Sequence, residues 1–120
     1  MAAACGGAAA LTELQRARSG GLDVVLLSPR DALRHGTDTF TIEFRSVSDS
    51  TLADVANVRG SATMPMAGTP MFGSLDIKRT QVAGRYTVDA RLDMTGTWRM
   101  TVEWQGPAGA QSVTFSSTVQ

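Results

Sequence analysis

The chain has 120 residues, with 11 Lys+Arg balanced by 11 Asp+Glu and a formal net charge of zero. That length is one domain's worth, and the neutral balance argues against a nucleic-acid or anionic-membrane surface, which needs a basic excess. Hydrophobic residues at 42% exclude disorder by composition, one His and one Cys exclude most metal and catalytic constellations, and no apolar run approaches a membrane span of about 20 residues.

The chain opens with Met1-Ala2-Ala3-Ala4-Cys5-Gly6-Gly7. Small residues before a lone Cys, with Gly-Gly after it, resemble the end of a bacterial lipoprotein signal whose charged and apolar regions are missing. On that reading Cys5 carries a lipid anchor, which is the one route to a membrane that the chain offers. The alternative is an Ala-rich leader with an accidental Cys. Ala8 to Arg18 are good helix formers, with Leu11 and Leu14 on one stripe, and Ser19-Gly20-Gly21 stops any helix. Residues 1–20 therefore read as a tether with a frayed helix, and residues 21–120 as the folded domain.

From Leu22 onward the period is two. Leu22, Val24 and Leu26 are followed by the turn Ser28-Pro29. Phe40, Ile42 and Phe44 alternate with polar residues, as do Tyr86, Val88, Ala90 and Leu92. Trp98, Met100, Val102 and Trp104 share one strand face, and Val113, Phe115 and Val119 another. Weaker signals cover Val58 to Met64 and Leu75 to Thr80. Seven short strands with Gly, Pro and Asp turns between them predict an all-β fold, an immunoglobulin-like antiparallel β-sandwich, with a closed barrel as the alternative. Trp98, Met100 and Trp104 are expected in its core.

Enzymatic chemistry finds no support in this sequence. His35 is the one imidazole, it falls in a predicted loop, and no Gly-x-Ser-x-Gly elbow, metal-spaced Cys/His cluster, calcium loop or phosphate loop accompanies it. One segment stands apart. Thr63-Met64-Pro65-Met66-Ala67-Gly68-Thr69-Pro70-Met71 carries three thioethers among two prolines and a glycine, and Met94 lies in a second turn. Proline-punctuated backbone is poor territory for a strand core. Soft sulfur selects Cu(I), and a thioether, unlike a thiol pair, cannot be lost to a disulfide. In an extended segment Met64 and Met66 project to one side, and Met71 can fold back across the Gly68 turn. The alternative is that these side chains plug the end of the sandwich.

At these residues the chain resembles the YtkA-like family, which is close to the FixH family. The likeness rests on Met64-Pro65-Met66 followed by Met71, on Gly84-Arg85-Tyr86, and on Leu92-x-Met94-x-Gly96-x-Trp98, and it covers roughly residues 22–119. The resemblance implies an immunoglobulin-like domain exported to the periplasm or cell surface, beside copper transport and cytochrome oxidase assembly. It implies copper as ligand, with the metal residues falling on Met64, Met66, Met71 and Met94, and a transporter or oxidase-assembly protein as partner. It departs from a richer copper pattern in having no His within the Met segment. The second expectation is an envelope interaction module, non-catalytic and metal-free, that offers a Met-rich loop surface to such a partner.

Overall fold

The computed structural model describes residues 11–66 and 68–120. The leader reading of residues 1–10, Cys5 included, lies outside the described residues. Eight strands follow in chain order: β1 (Thr12–Ser19), β2 (Leu22–Ser28), β3 (Gly36–Ser46), β4 (Ala56–Met64), β5 (Met71–Arg79), β6 (Arg85–Leu92), β7 (Gly96–Gly106) and β8 (Gly109–Val119). The all-β, antiparallel class is as expected. The count is eight rather than seven, and the strands form one continuous sheet in the order β1-β2-β3-β6-β5-β4-β7-β8.

β1 corrects the expected helix. Good helix formers lose here to tertiary pairing, because Arg16 to Ser19 lie in ladder register with Val25 to Leu22 of β2. Arg16 and Arg18 point outward and bond Asp23 at 3.1 and 2.9 Å, while Leu14 and Ala17 pack on the core. The expected start of the domain at residue 21 thus moves forward to Thr12 as far as strand pairing is concerned. The sheet then curls until its two edges approach. Ser19 Oγ donates to Gln111 Oε1 at 2.6 Å, and Gln15 Nε2 donates to the Ser116 carbonyl, so β1 meets β8 and the sheet is nearly a closed barrel.

Inward-facing residues fill that barrel. Trp98, Met100, Trp104, Phe44, Phe115, Ile42 and Leu92 are buried, as the alternation predicts. Phe44 packs edge-on against Tyr86 and Trp104, with ring centroids 5.6 and 5.1 Å away. β2 is buried along its whole length, so its outer face is covered as well as its inner one.

The two ends of the barrel are built differently. One end holds the β1–β2 and β7–β8 turns and the starts of β4 and β6. There the buried carboxylate of Glu43 accepts from Arg45 Nε at 2.9 Å and from Arg85 Nε at 2.7 Å. Burial pushes this carboxyl upward, yet the two guanidiniums outweigh it and hold it below the usual carboxylate range. Asp23 is likewise lowered, first by its bond to Arg18. The register Arg18–Asp23–Arg45 across β1, β2 and β3 alternates charge on the outer face. The other end holds the β4–β5 and β6–β7 connections and the start of β3, and it carries the methionines.

Candidate functional site

The β4–β5 hairpin assembles the first pair of thioethers. Met64 closes β4 and Met71 opens β5, and the two are direct cross-strand partners. Gly68, at φ 91°, supplies a left-handed residue within their connection. Directly opposed residues on one face of an antiparallel pair have Cβ atoms about 5 Å apart. Both side chains are half-buried and pack on the end of the core, so the expected fold-back of Met71 toward Met64 is the geometry of this hairpin.

The β6–β7 connection brings the third. Met94 is 39% exposed and sits between Leu92 and Gly96. Its carbonyl accepts from the buried Trp98 indole, Nε1 to O 2.9 Å, which ties the turn to the core four residues on. Gly96 then makes room for Met64. A Cβ at Gly96 would stand 2.4 Å from Met64 Cε and 3.6 Å from its sulfur, and φ there is 136°. Met64 and the Met94 turn therefore meet over a glycine that no side chain can replace without displacing the thioether. Met66, 42% exposed, lies in the connection just beyond β4 at the same end.

All four predicted site residues thus stand at one end of the barrel, on the mouth side of β4, β5 and the β6–β7 turn. Two are partly packing residues and two are exposed, so the site and the plug overlap in Met64 and Met71. Met100 is buried in the interior and takes no part. Thioether sulfur is a soft donor, whereas carboxylate oxygen is a hard one. Among the described residues no group of three or more His, Cys, Asp or Glu converges, so a hard-ligand cage is not offered there. A separate cleft, lined by Arg59, Glu103, Trp104 and Gln111, opens at the opposite end, away from the methionines.

The other quoted residues divide between the two ends. Gly84 has φ 85°, and a Cβ there would lie 2.8 Å from the Ala53 carbonyl oxygen. Arg85 holds Glu43, and Tyr86 Oη donates to the Val55 carbonyl at 2.9 Å. Burial raises the pKa of that phenol, so it stays a donor. Gly84-Arg85-Tyr86 is scaffold, whereas Leu92-x-Met94-x-Gly96-x-Trp98 builds the rim: Leu92 and Trp98 anchor it, Gly96 seats Met64, and Met94 is presented. A family model described as YtkA-like matches residues 16–103, nearly three-quarters of the chain. The chain belongs to the YtkA-like family. The match begins inside β1, which agrees with β1 as part of the sheet, and it ends within β7, so β8 lies beyond it. Neither the curated proteins nor the solved structures give a significant match to this YtkA-like chain.

The sequence does not show where His35 lies. It looks like a remote loop residue, yet its main-chain N–H donates to the Gln120 oxygen at 2.8 Å, beside the end of β8. The neighbouring Leu33 is fully buried and bridges Val119. The bridge is long-range, and no local pattern around Arg34-His35-Gly36 announces it.

Proposed function

We propose that this YtkA-like domain is a non-catalytic, exported envelope module that binds Cu(I) through Met64, Met71, Met94 and Met66, for copper handling or delivery. The observation that carries the reading is the seating of Met64 over Gly96, opposite Met71 and against the Met94 turn. Four thioethers at one accessible rim are a soft-donor set, and soft donors discriminate against the harder cations. Their exposure suits transfer to and from a partner, because a cargo ion held at a rim needs no opening of the core. The strand order also supports an immunoglobulin-like arrangement. β2-β3-β6-β5 and β4-β7-β8 follow the order of the two sheets of that fold, joined here through the β4–β5 hairpin. An exported domain anchored through Cys5 would hold the rim in the periplasm or at the cell surface.

The test is Cu(I) competition titration of the wild-type chain and of Met64→Leu/Met71→Leu. Leucine keeps most of the volume, so each substitution costs less than about 1.5 kcal/mol of stability. The wild type is expected to bind one equivalent and the double variant to lose it. Equal affinities would reject these ligands.

One observation favours the interaction module instead. Phe72 is 70% exposed on the outer face of β5, next to Met71. An aromatic so placed offers a contact to a transporter or assembly protein. A photo-crosslinker at position 72 that captures one envelope protein, together with no Cu(I) uptake by the wild type, would decide for this reading.

A further inference from the structure

The cleft at the end opposite the methionines has a volume of about 690 Å³ and plays no part in the Cu(I) reading. Residues of β4, β7, β8 and the end of β1 wall it. Where β1 meets β8 the polar groups are spent: Gln111 accepts from Ser19 Oγ at 2.6 Å and donates through Nε2 to the Ala108 carbonyl at 3.3 Å. The β4–β7 wall is different. A bulge between Ala56 and Arg59 interrupts the ladder there, and Asn57 within it takes a left-handed φ of 54°. A bulge re-aims the side chain it carries, and Asn57 Nδ2 donates across to Gln105 Oε1 on β7 at 3.2 Å. Whichever way the two carboxamides are turned, that one bond leaves an amide NH2 and an amide oxygen unspent among the described residues.

Beside them Arg59 and Glu103 are direct cross-strand partners, and both are exposed. Among the described residues neither makes an ion pair or a hydrogen bond, whereas Asp23 and Glu43 are each held by two guanidiniums. A guanidinium presents parallel donors that match a carboxylate, and a carboxylate accepts from an ammonium. Directly opposed Cβ atoms stand about 5 Å apart, so the two charges suit a ligand whose own charges are close together. An uncharged sugar would take water from both groups without returning a counter-charge. A simple anion or cation would meet one like charge. A zwitterion incurs neither cost.

We propose that this cleft binds a free α-amino acid with a polar, uncharged side chain, its carboxylate on Arg59, its ammonium on Glu103 and its side chain on the Asn57 and Gln105 carboxamides. The site is separate from the methionine rim and goes beyond the Cu(I) reading.

The experiment titrates L-glutamine, L-asparagine, L-serine and L-threonine in turn into the copper-free chain and follows the side-chain N–H resonances. The two indoles supply an internal control. Trp104 lines the cleft and its N–H has no partner among the described residues, whereas the Trp98 N–H is bonded to Met94 at the far end. Expected from at least one of the four is a saturable shift of the Trp104 indole and the Gln105 carboxamide, with the Trp98 indole unmoved. Arg59→Gln and Glu103→Gln replace exposed side chains, so folding is retained, and each should weaken binding about tenfold or more, the worth of a charged hydrogen bond. The N-acetyl and C-terminal amide derivatives of the amino acid that binds, each lacking one charge, should bind as weakly. No saturable shift from any of the four, a shift that both derivatives reproduce at equal affinity, or unchanged affinity in both variants overturns the site. Equal affinity for L-leucine overturns the carboxamide contacts. Both variants should keep the Cu(I) affinity of the wild type, so failure here leaves the methionine reading to its own test.

Discussion

The two ends of this barrel solve opposite problems with the same strands. At the Glu43 end, charge and hydrogen bonds are internal. Glu43 spends its oxygens on Arg45 and Arg85, Asp23 on Arg16 and Arg18, and the Tyr86 hydroxyl on the Val55 carbonyl. At the methionine end, bonds to main-chain oxygens hold the connections, from the Trp98 indole to Met94 and from Gln120 N to Leu33, and four thioethers stand among them. An end whose buried carboxylates are held by guanidiniums is a clamp. At the other end two thioethers are exposed and two pack on the core.

The largest expected effect breaks the clamp. Gly84→Ala forces a side chain onto φ 85° and onto the Ala53 backbone, which cannot yield as a side-chain tip does. Strain and overpacking together cost about 3 kcal/mol. Chemical denaturation should show that loss, while the fraction that folds keeps its Cu(I) affinity. A change in affinity at unchanged stability would erase the division of labour between the ends.

Glu43→Gln comes next. It removes the charge that two guanidiniums bind, at a cost of about 2 kcal/mol for charged hydrogen bonds. The same contact has a pH signature. The carboxyls of Glu43 and Asp23 are lowered in the fold, so their contribution is fully present above the ordinary carboxylate range of about 4. It is lost as pH falls through the lowered folded values. Thermal melts from pH 6 to pH 2 should decline most steeply below about pH 4, and the Glu43→Gln variant should decline less. Parallel curves would remove Glu43 from the account.

The smallest change in stability should carry the largest change in binding. Gly96→Ala also meets a positive φ, but the atom in its way is the flexible end of Met64. Rotation of Met64 relieves the clash and leaves about 1–2 kcal/mol of backbone strain. The displaced thioether should weaken Cu(I) binding well beyond that of Gly84→Ala. Intact binding would separate Met64 from the site.

Alternation of apolar residues along Phe40–Phe44, Tyr86–Leu92 and Trp98–Trp104 was enough to read strands, buried face and the interior position of Met100, because a period of two leaves one choice of inward side. The hairpin pairing of Met64 with Met71 was readable for the same local reason: a proline–glycine connection between two extended segments returns the chain on itself. β1 was not readable, since Leu11 to Arg18 prefer helix locally and become a strand through ladder bonds to β2 and ion pairs to Asp23. The place of the Leu33–His35 loop was not readable either, since it is set by a bridge between Leu33 and Val119, 86 positions apart in the chain. Composition and periodicity determined the class of fold and supplied the sulfur. Closure of the sheet decided which loops share a mouth, because contacts between distant segments depend on strand order, and no local pattern encodes that.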